Sequence, residues 1–511
     1  MQKEISSIIL RQKEFFYSHK TLSKSARLQA LDSILESIKY HEEQILQALY
    51  LDLNKSKEEG FMSEIAQVYK EIKSARKWVK RYTTPKSVKS PLSHLGGKSK
   101  IYYEPYGVVL IISPWNYPIN LSLIPLVGAI ASGNCVILKP SEYSQHSSNI
   151  LEKIIARAFL KDFVCVLQGG KEVGEYLLQQ KFDYIFFTGS ESVGRIVMQE
   201  AAKNLTPITL ELGGKNPCIV EDYKNVQIIT RKIAWGKWLN SGQTCIAPDL
   251  LLIQQDLKEC VVENLKQNII NLYTNDQKNH HQNQEINQSI INSKDYCKII
   301  SPRHFQRLLD LLQELKEIKE EGRIIFGGHI DQKALKISPT LVDFGLIEHL
   351  LETLGDQSIF QVRSKDNKNP KLKLLQLKLL QEEIFGPILP ILTYKNLDEC
   401  ISFIQKFEKP LALYLFSDAK EKQDQVVQTI SFGNGCINDC IAQVANNNLP
   451  FGGVGNSGIG SYHGIFSAET FCRKKGIFKG SSSFDIHLRY PPYSKKTFGL
   501  ERIKIFRWLL G

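Results

Sequence analysis

The stretch PYGVVLIISPWNYPINLSLIPLVGAIASGNCVILKP, residues 105–140, decides the fold. Its first 34 residues, Pro105 to Leu138, carry no charged side chain. Such a run invites a membrane-span reading, but Trp115-Asn116-Tyr117-Pro118 and Ser132-Gly133-Asn134 interrupt it, and no 18-residue segment is uniformly apolar. The spacing instead predicts a buried strand over 108–112, a loop, a buried helix over 121–131 and a second buried strand over 135–138. Continuous apolar strands on either side of a helix mark a parallel sheet covered on both faces. Strand-like runs recur at 163–167, 184–187 and 208–212, with helical stretches between them. This rhythm predicts an α/β domain of the doubly wound, Rossmann type, in which ligands sit beyond the carboxyl ends of the strands.

Upstream, residues 1–82 place apolar side chains at helical spacing (Leu28, Leu31, Ile34, Leu35, Ile38) and read as several helices. A basic connection follows, with Pro85, Pro91 and Gly96-Gly97. Downstream, the Asn/Gln-rich segment 275–293 reads as a disordered or loop insertion, and 345–380 as a second insertion. FGGVGNSGIG, residues 451–460, has five glycines and reads as a tight loop.

The bulk numbers bound the function. At 511 residues, 42% hydrophobic and 23% charged, the chain is an ordinary globular protein of two or three domains. Its net charge of +12 suggests a nucleic-acid or membrane surface. The excess is local, however: residues 70–100 carry +9, residues 473–511 carry +8, and the rest sums to −5. The ten cysteines form no CxxC pair, and no histidine lies at zinc-finger spacing from them, so no metal site is expected. Unpaired thiols and the lack of a long apolar core in MQKEISSIIL point to a reducing, cytoplasmic setting.

Four features bear on chemistry. Cys245, in Gly242-Gln243-Thr244-Cys245, is a candidate nucleophile or a buried structural cysteine. Glu211, at an apolar strand end before Gly213-Gly214, is a candidate general base, its pKa raised by burial, or the partner of a nearby cation. Thr188-Gly189-Ser190 through Gly194, after the run 184–187, is a candidate phosphate-binding strand-to-helix turn or a plain turn with a capping serine. Asn116, in PWNYP (114–118), either donates to a developing oxyanion or completes its own loop.

Taken together and in this order, these motifs resemble the aldehyde dehydrogenase superfamily. LKPSE (138–142), FTGSESVG (187–194), ELGGKNP (211–217), GQTC (242–245), EEIFGP (382–387) and LPFGGVGNSGIGSYHG (449–464) extend the likeness from about residue 20 to 495. The last motif and RYPP (489–492) resemble the class 3 branch of fatty and aromatic aldehyde dehydrogenases. The resemblance implies an NAD(P)-binding domain (1–82 and 102–210), a catalytic domain (211–436), a bridging arm (83–101 and 437–480) and a basic tail (481–511). It implies Cys245 as nucleophile, Asn116 and the Cys245 N–H as oxyanion donors, and Glu211 as the base that activates water. It places Lys139 and Glu142 at the adenosine ribose, Gly189, Ser190 and Gly194 at the pyrophosphate, and Glu383 and Phe385 at the nicotinamide ribose of NAD or NADP. Without the resemblance, Glu383 and Phe385 would read as a helix cap and a core aromatic. Gln443 stands where relatives often have histidine, which bears on substrate preference.

The expected partners are a small-molecule aldehyde and a second copy of the chain in a homodimer, with no nucleic acid. The alternatives are a CoA-acylating dehydrogenase or thiol esterase using the same cysteine, and a basic nucleic-acid-binding protein, which lacks the aromatic motifs of such modules. The tail KKTFGLERIKIFRWLLG (495–511) is too short to span a bilayer; it reads as a peripheral membrane contact or a helix docked on the protein.

Overall fold

The computed structural model describes residues 2–91, 94, 96–274, 283–316, 322–355, 357–361 and 374–483, with 485, 490, 491, 503, 504 and 507. It opens with the helices Gln2–Tyr17, Lys24–Tyr40, Glu42–Leu53 and Ala66–Tyr82. Leu31, Ile34 and Ile38, expected from their spacing to face inward, are fully buried. Residues 105–140 form the strand Val108–Ile112, the helix Asn120–Ser132 and the strand Cys135–Lys139. The helix buries every residue from 122 to 132, and Gly133 ends it in the left-handed region (φ 96°).

The first sheet orders its strands Val164–Val166, Cys135–Lys139, Val108–Ile112, Tyr184–Thr188 and Ile208–Glu211, all parallel. The short strand Gly458–Ile459 adds antiparallel beside Glu211. Strand order reverses between Val108–Ile112 and Tyr184–Thr188. A crevice therefore opens at their carboxyl ends, where PWNYP and the Gly189-Ser190 turn leave the sheet.

The second sheet orders Arg323–Phe326, Thr340–Leu346, Ile388–Tyr394, Leu250–Gln254, Pro217–Val220, Ala412–Phe416 and Asn434–Ile437, parallel except for its first strand. A third, antiparallel sheet joins Lys86–Val88, Lys98–Pro105 and Cys472–Lys479. Of residues 437–471, grouped with the arm on sequence, Gln443 is tied to Tyr414 and Asn434 of the second sheet, while Gly458–Ile459 extends the first. The helix Ile465–Phe471 packs so closely on Asn120–Ser132 that a Cβ at Gly128 would lie 2.9 Å from Ser467 Cβ.

One expectation is corrected. Residues 283–292 of the Asn/Gln-rich segment form a helix rather than a loop, with Ile290 and Ile291 buried; tertiary contact outweighs the polar composition. Residues 275–282 of that segment, 356 and 362–373 of the second insertion and most of the 495–511 tail lie outside the described residues. Within the second insertion the helix Glu348–Leu354 and the turn Ile359–Gln361 are present. No helix among the described residues is long and apolar enough to cross a membrane.

Two buried carboxylates tie the N-terminal helices to the crevice. Lys55 and Glu64, both fully buried, pair at 2.7 Å. The other oxygen of Glu64 accepts from the backbone N–H groups of Ile119 and Asn120, both at 3.0 Å, and Lys55 Nζ donates to the Asn116 carbonyl at 3.2 Å. Glu71 accepts from Gly464 N, Ser467 Oγ and Asn447 Nδ2 and so holds the chain around residues 447–467. Replacing Glu64 by alanine strands the Lys55 ammonium in the interior. A loss of about 3–5 kcal/mol of unfolding free energy is expected in urea denaturation.

Burial pushes the Glu71 carboxyl up to about 7, against the bonds from Gly464 and Ser467. Because the folded state holds this proton more tightly than the unfolded chain does, the stability it contributes is present at low pH and is lost as pH rises through about 7. The Glu71→Gln variant is expected to lack that decline. Its change in unfolding free energy between about pH 5 and pH 8 should be smaller than the parent's by on the order of 3 kcal/mol.

Candidate active site

Cys245 and Glu211 meet in one cavity of about 290 Å³. Glu211 ends a strand of the first sheet, and Cys245 follows a tight turn in which Asn240 and Ser241 hold left-handed backbone (φ 53° and 52°). The Asn240 side chain maintains that turn by donating to the carbonyls of Asn116 (2.9 Å) and Gln243 (3.2 Å). Trp235, Leu239, Leu411, Val444, Phe451 and Tyr462 make most of the remaining wall apolar.

The electrostatics are those of a dry site. Both carboxylate oxygens of Glu211 are buried without a hydrogen-bond partner, and burial raises its pKa well above the ordinary carboxyl range. No cation pairs with it among the described residues, so the cation-partner reading of this glutamate fails. Burial also pushes the Cys245 thiol up, and the nearby carboxylates of Glu383 and Glu211 push it further. At neutral pH Cys245 therefore rests as a thiol.

Asn116 is buried behind this cavity. Its amide nitrogen donates to the Gln243 carbonyl at 3.0 Å, two residues before the cysteine, and its oxygen has no partner. Neighbouring Tyr117 pairs its hydroxyl with Thr244 at 2.7 Å. PWNYP and GQTC are thus joined by side chains through two consecutive links.

Glu383 belongs to an adjoining cavity, also about 290 Å³, with Gly213, Gly214, Lys215 and Glu191. Its carboxylate lies where a side chain at Gly213 would have to go. Burial and the field of Asp249 raise Glu383 to about 8, against a hydrogen bond from the Gly214 N–H and the charges of Arg307 and Lys215. One oxygen, Oε1, is buried without a partner. Phe385 takes a left-handed backbone (φ 47°), held by the Arg307 guanidinium on the carbonyls of Ile384 (2.6 Å) and Phe385 (3.4 Å). Its ring meets Trp115 edge-on at 5.4 Å.

The other predicted residues sort into two groups. Lys139 and Glu142 pair with each other at 2.9 Å beyond the strand Cys135–Lys139, with Lys139 buried and Glu142 partly open. Ser190 precedes the helix Glu191–Lys203 and makes no side-chain cap, which leaves the first N–H groups of that helix to a ligand. Gly189 and Gly194 act by close packing. A Cβ at 189 would lie 2.6 Å from the Phe187 ring, and one at 194 would lie 2.7 Å from Leu212. Gly194 sits inside the helix and lets it approach the sheet.

Sequence reasoning missed Asp249. It accepts from Lys215 Nζ at 3.0 Å and from the Ile384 N–H at 3.1 Å, and the Lys237 ammonium lies 3.5 Å away. Lys215 also donates to the carbonyls of Leu379 (2.6 Å) and Glu382 (3.0 Å). An acid four residues after the cysteine was the available signal, but its partners Lys215 and Ile384 lie 34 and 135 residues away in sequence. Gln443 is buried, donates to Asn434 and Tyr414 and accepts from the Cys436 thiol.

The orphaned Glu383 oxygen and Glu191 at the uncapped helix start line one cavity, and the Lys139–Glu142 pair stands at the carboxyl end of a neighbouring strand of the first sheet. They suit a dinucleotide whose phosphates rest on the helix and whose ribose hydroxyls reach the carboxylates.

Comparison with known proteins agrees. The model of the aldehyde dehydrogenase family matches residues 1–344 and 375–477; its range runs through 275–293 unbroken and omits 345–374. The chain is 41% identical to the 4,4'-diaponeurosporen-aldehyde dehydrogenase of Staphylococcus aureus, over 95% of each chain. It is 38% identical to the dimeric, NADP-preferring aldehyde dehydrogenase of Canis lupus familiaris, covering 96% of this chain and 98% of the other. The solved structure of Staphylococcus aureus AldH in its substrate-bound state superposes with a TM-score of 0.85 at 40% identity, covering 98% of this chain and 99% of that one. The chain belongs to the aldehyde dehydrogenase family.

Proposed function

We propose that this NAD(P)-dependent aldehyde dehydrogenase oxidises medium- or long-chain aliphatic or aromatic aldehydes to carboxylic acids, with Cys245 as nucleophile, Asn116 as oxyanion donor and Glu211 as base. The observation that carries the reading is that the Cys245 thiol and a buried carboxylate without any hydrogen-bond partner line one largely apolar cavity. A carboxylate whose pKa is raised by burial is a competent acceptor for the thiol proton and, later, for a proton of water.

In this reading Glu211 takes the Cys245 proton, and the sulfur adds to the aldehyde carbon. The Asn116 amide and the Cys245 N–H then hold the oxyanion; losing one such donor typically costs about 10²–10³ in rate. When bound, NAD(P)+ supplies the acceptor for the hydride that leaves this carbon. Lys139, Glu142 and Glu383 would hold its riboses and the N–H groups after Ser190 its phosphates. Expulsion of hydride leaves a thioester on Cys245. Glu211 releases the thiol proton to solvent and then deprotonates a water, which adds to the thioester carbonyl. The thiolate departs, takes back a proton, and the acid is released. The apolar wall favours a hydrocarbon or aromatic body over a charged one.

The domain division follows the chemistry. The first sheet with the N-terminal helices (1–82 and 102–210) would carry the dinucleotide, 211–436 the cysteine, and the antiparallel sheet would bridge to a second copy in a homodimer. Peripheral membrane contact through the tail belongs to the same proposal; liposome co-sedimentation of the full chain against residues 1–494 tests it, and equal pelleting would remove the tail as anchor.

Cys245→Ala is expected to abolish NADH or NADPH formation with aliphatic and aromatic aldehydes; retained activity would remove the cysteine from its role. Glu211→Gln should fall by about 10²–10⁴ in steady-state rate. If hydrolysis is its main task, this variant should also accumulate the thioester, visible as a cofactor-reduction burst of one equivalent per site. Turnover accelerated by free CoA, with an acyl-CoA product, would instead favour the acylating alternative.

A further inference from the structure

We propose that Phe360, supplied by the segment that the family model omits, is a contact for the nicotinamide half of the bound dinucleotide. This rests on the NAD(P) reading above. Residues 345–374 interrupt an otherwise continuous match, so whatever they add to the site belongs to this chain and not to the family pattern.

The described part of the segment is anchored. Leu350, Leu354 and Ile359 are at most 2% exposed in the core of the second sheet. The Ile359 N–H donates to the Lys406 carbonyl at 3.2 Å, Lys406 Nζ donates to the Gly355 carbonyl at 2.6 Å, and Gln381 Nε2 donates to the Ile359 carbonyl at 3.2 Å. Gln381 stands two residues before Glu383, so one hydrogen bond links the inserted turn directly to the motif that carries that carboxylate.

Ile359 faces the core, and the next side chain faces the opposite way. Phe360 is 41% exposed and lines the cavity that holds Gly213, Gly214 and Glu383. Glu191, at the start of the helix Glu191–Lys203, lines the same cavity. Hydride transfer fixes which part of the dinucleotide enters here. The nicotinamide must reach the carbon on Cys245, beside Glu211 and Gly213, while the phosphates stay at the helix start. A ring placed between these limits meets the nicotinamide ribose and its phosphate linkage, and it offers an apolar face in a cavity otherwise lined by charged groups and bare backbone. Packing against the sugar lowers the loss of the cofactor to water without contributing a charge.

The test compares the full-length enzyme with Phe360→Ala and Phe360→Leu by fluorescence titration with NADH and NADPH, by KM for NAD+ and for hexanal, and by thermal unfolding without cofactor. Phe360→Ala is expected to raise the dissociation constant of the reduced cofactor about five- to tenfold. The KM for hexanal and the cofactor-free unfolding midpoint should stay unchanged, and Phe360→Leu should fall between. An unchanged dissociation constant in Phe360→Ala overturns the assignment, whatever happens to the midpoint, because it leaves the ring only a packing role. If the parent protein binds neither NADH nor NADPH, the NAD(P) reading itself falls and takes this assignment with it.

Discussion

One wall of the candidate site hangs on the buried carboxylate of Asp249. It gathers Lys215 from the ELGGK motif, the Ile384 N–H from EEIFGP and the Lys237 ammonium from the helix leading to GQTC. Three stretches distant in sequence are thereby fixed to a single acid at the foot of the strand Leu250–Gln254. Burying one anion among two cations costs desolvation of all three, which lowers the pKa of Lys215 and brings that of Lys237 down to about 8. The return is geometric. Lys215 spans Asp249 and two backbone carbonyls, which sets the Gly213-Gly214 backbone against Glu383, and the absence of a Cβ at Gly213 admits that carboxylate.

The same economy governs the other wall. Lys55 and Glu64 lock the start of the helix Asn120–Ser132, and Lys55 also takes the Asn116 carbonyl, so the loop before that helix has no freedom left. Asn116 can then hold its amide near the GQTC turn without support from solvent. Both anchors place charge where it cannot relax. This leaves the polar groups around the cavity fixed in advance of any ligand.

Much of this could be read from the residues alone. Every strand of the first sheet but the two-residue edge was visible as an apolar run, because a parallel sheet covered on both faces leaves no room for polar side chains. Glu211 and Cys245 stood out because a carboxylate in an apolar strand and a cysteine among small residues are costly unless used. Glu64 and Glu71 did not, since on a helix a charged side chain looks the same whether it faces water or is buried against a partner distant in sequence. The helix Asn283–Asn292 was hidden for the opposite reason: its Asn and Gln residues disguise the few isoleucines that dock it. Gly194 was legible as a glycine, but not as a contact with Leu212, which only the folded helix reveals.

The uncharged run between Pro105 and Leu138 has a consequence for how the protein is made. Its two strands pair with each other, but Val108–Ile112 also needs Tyr184–Thr188, which leaves the ribosome some seventy residues later. Until then a greasy strand edge without gatekeeper charges is exposed to other nascent chains. The first sheet therefore acquires its central pairing well before Cys245 has been added to the chain.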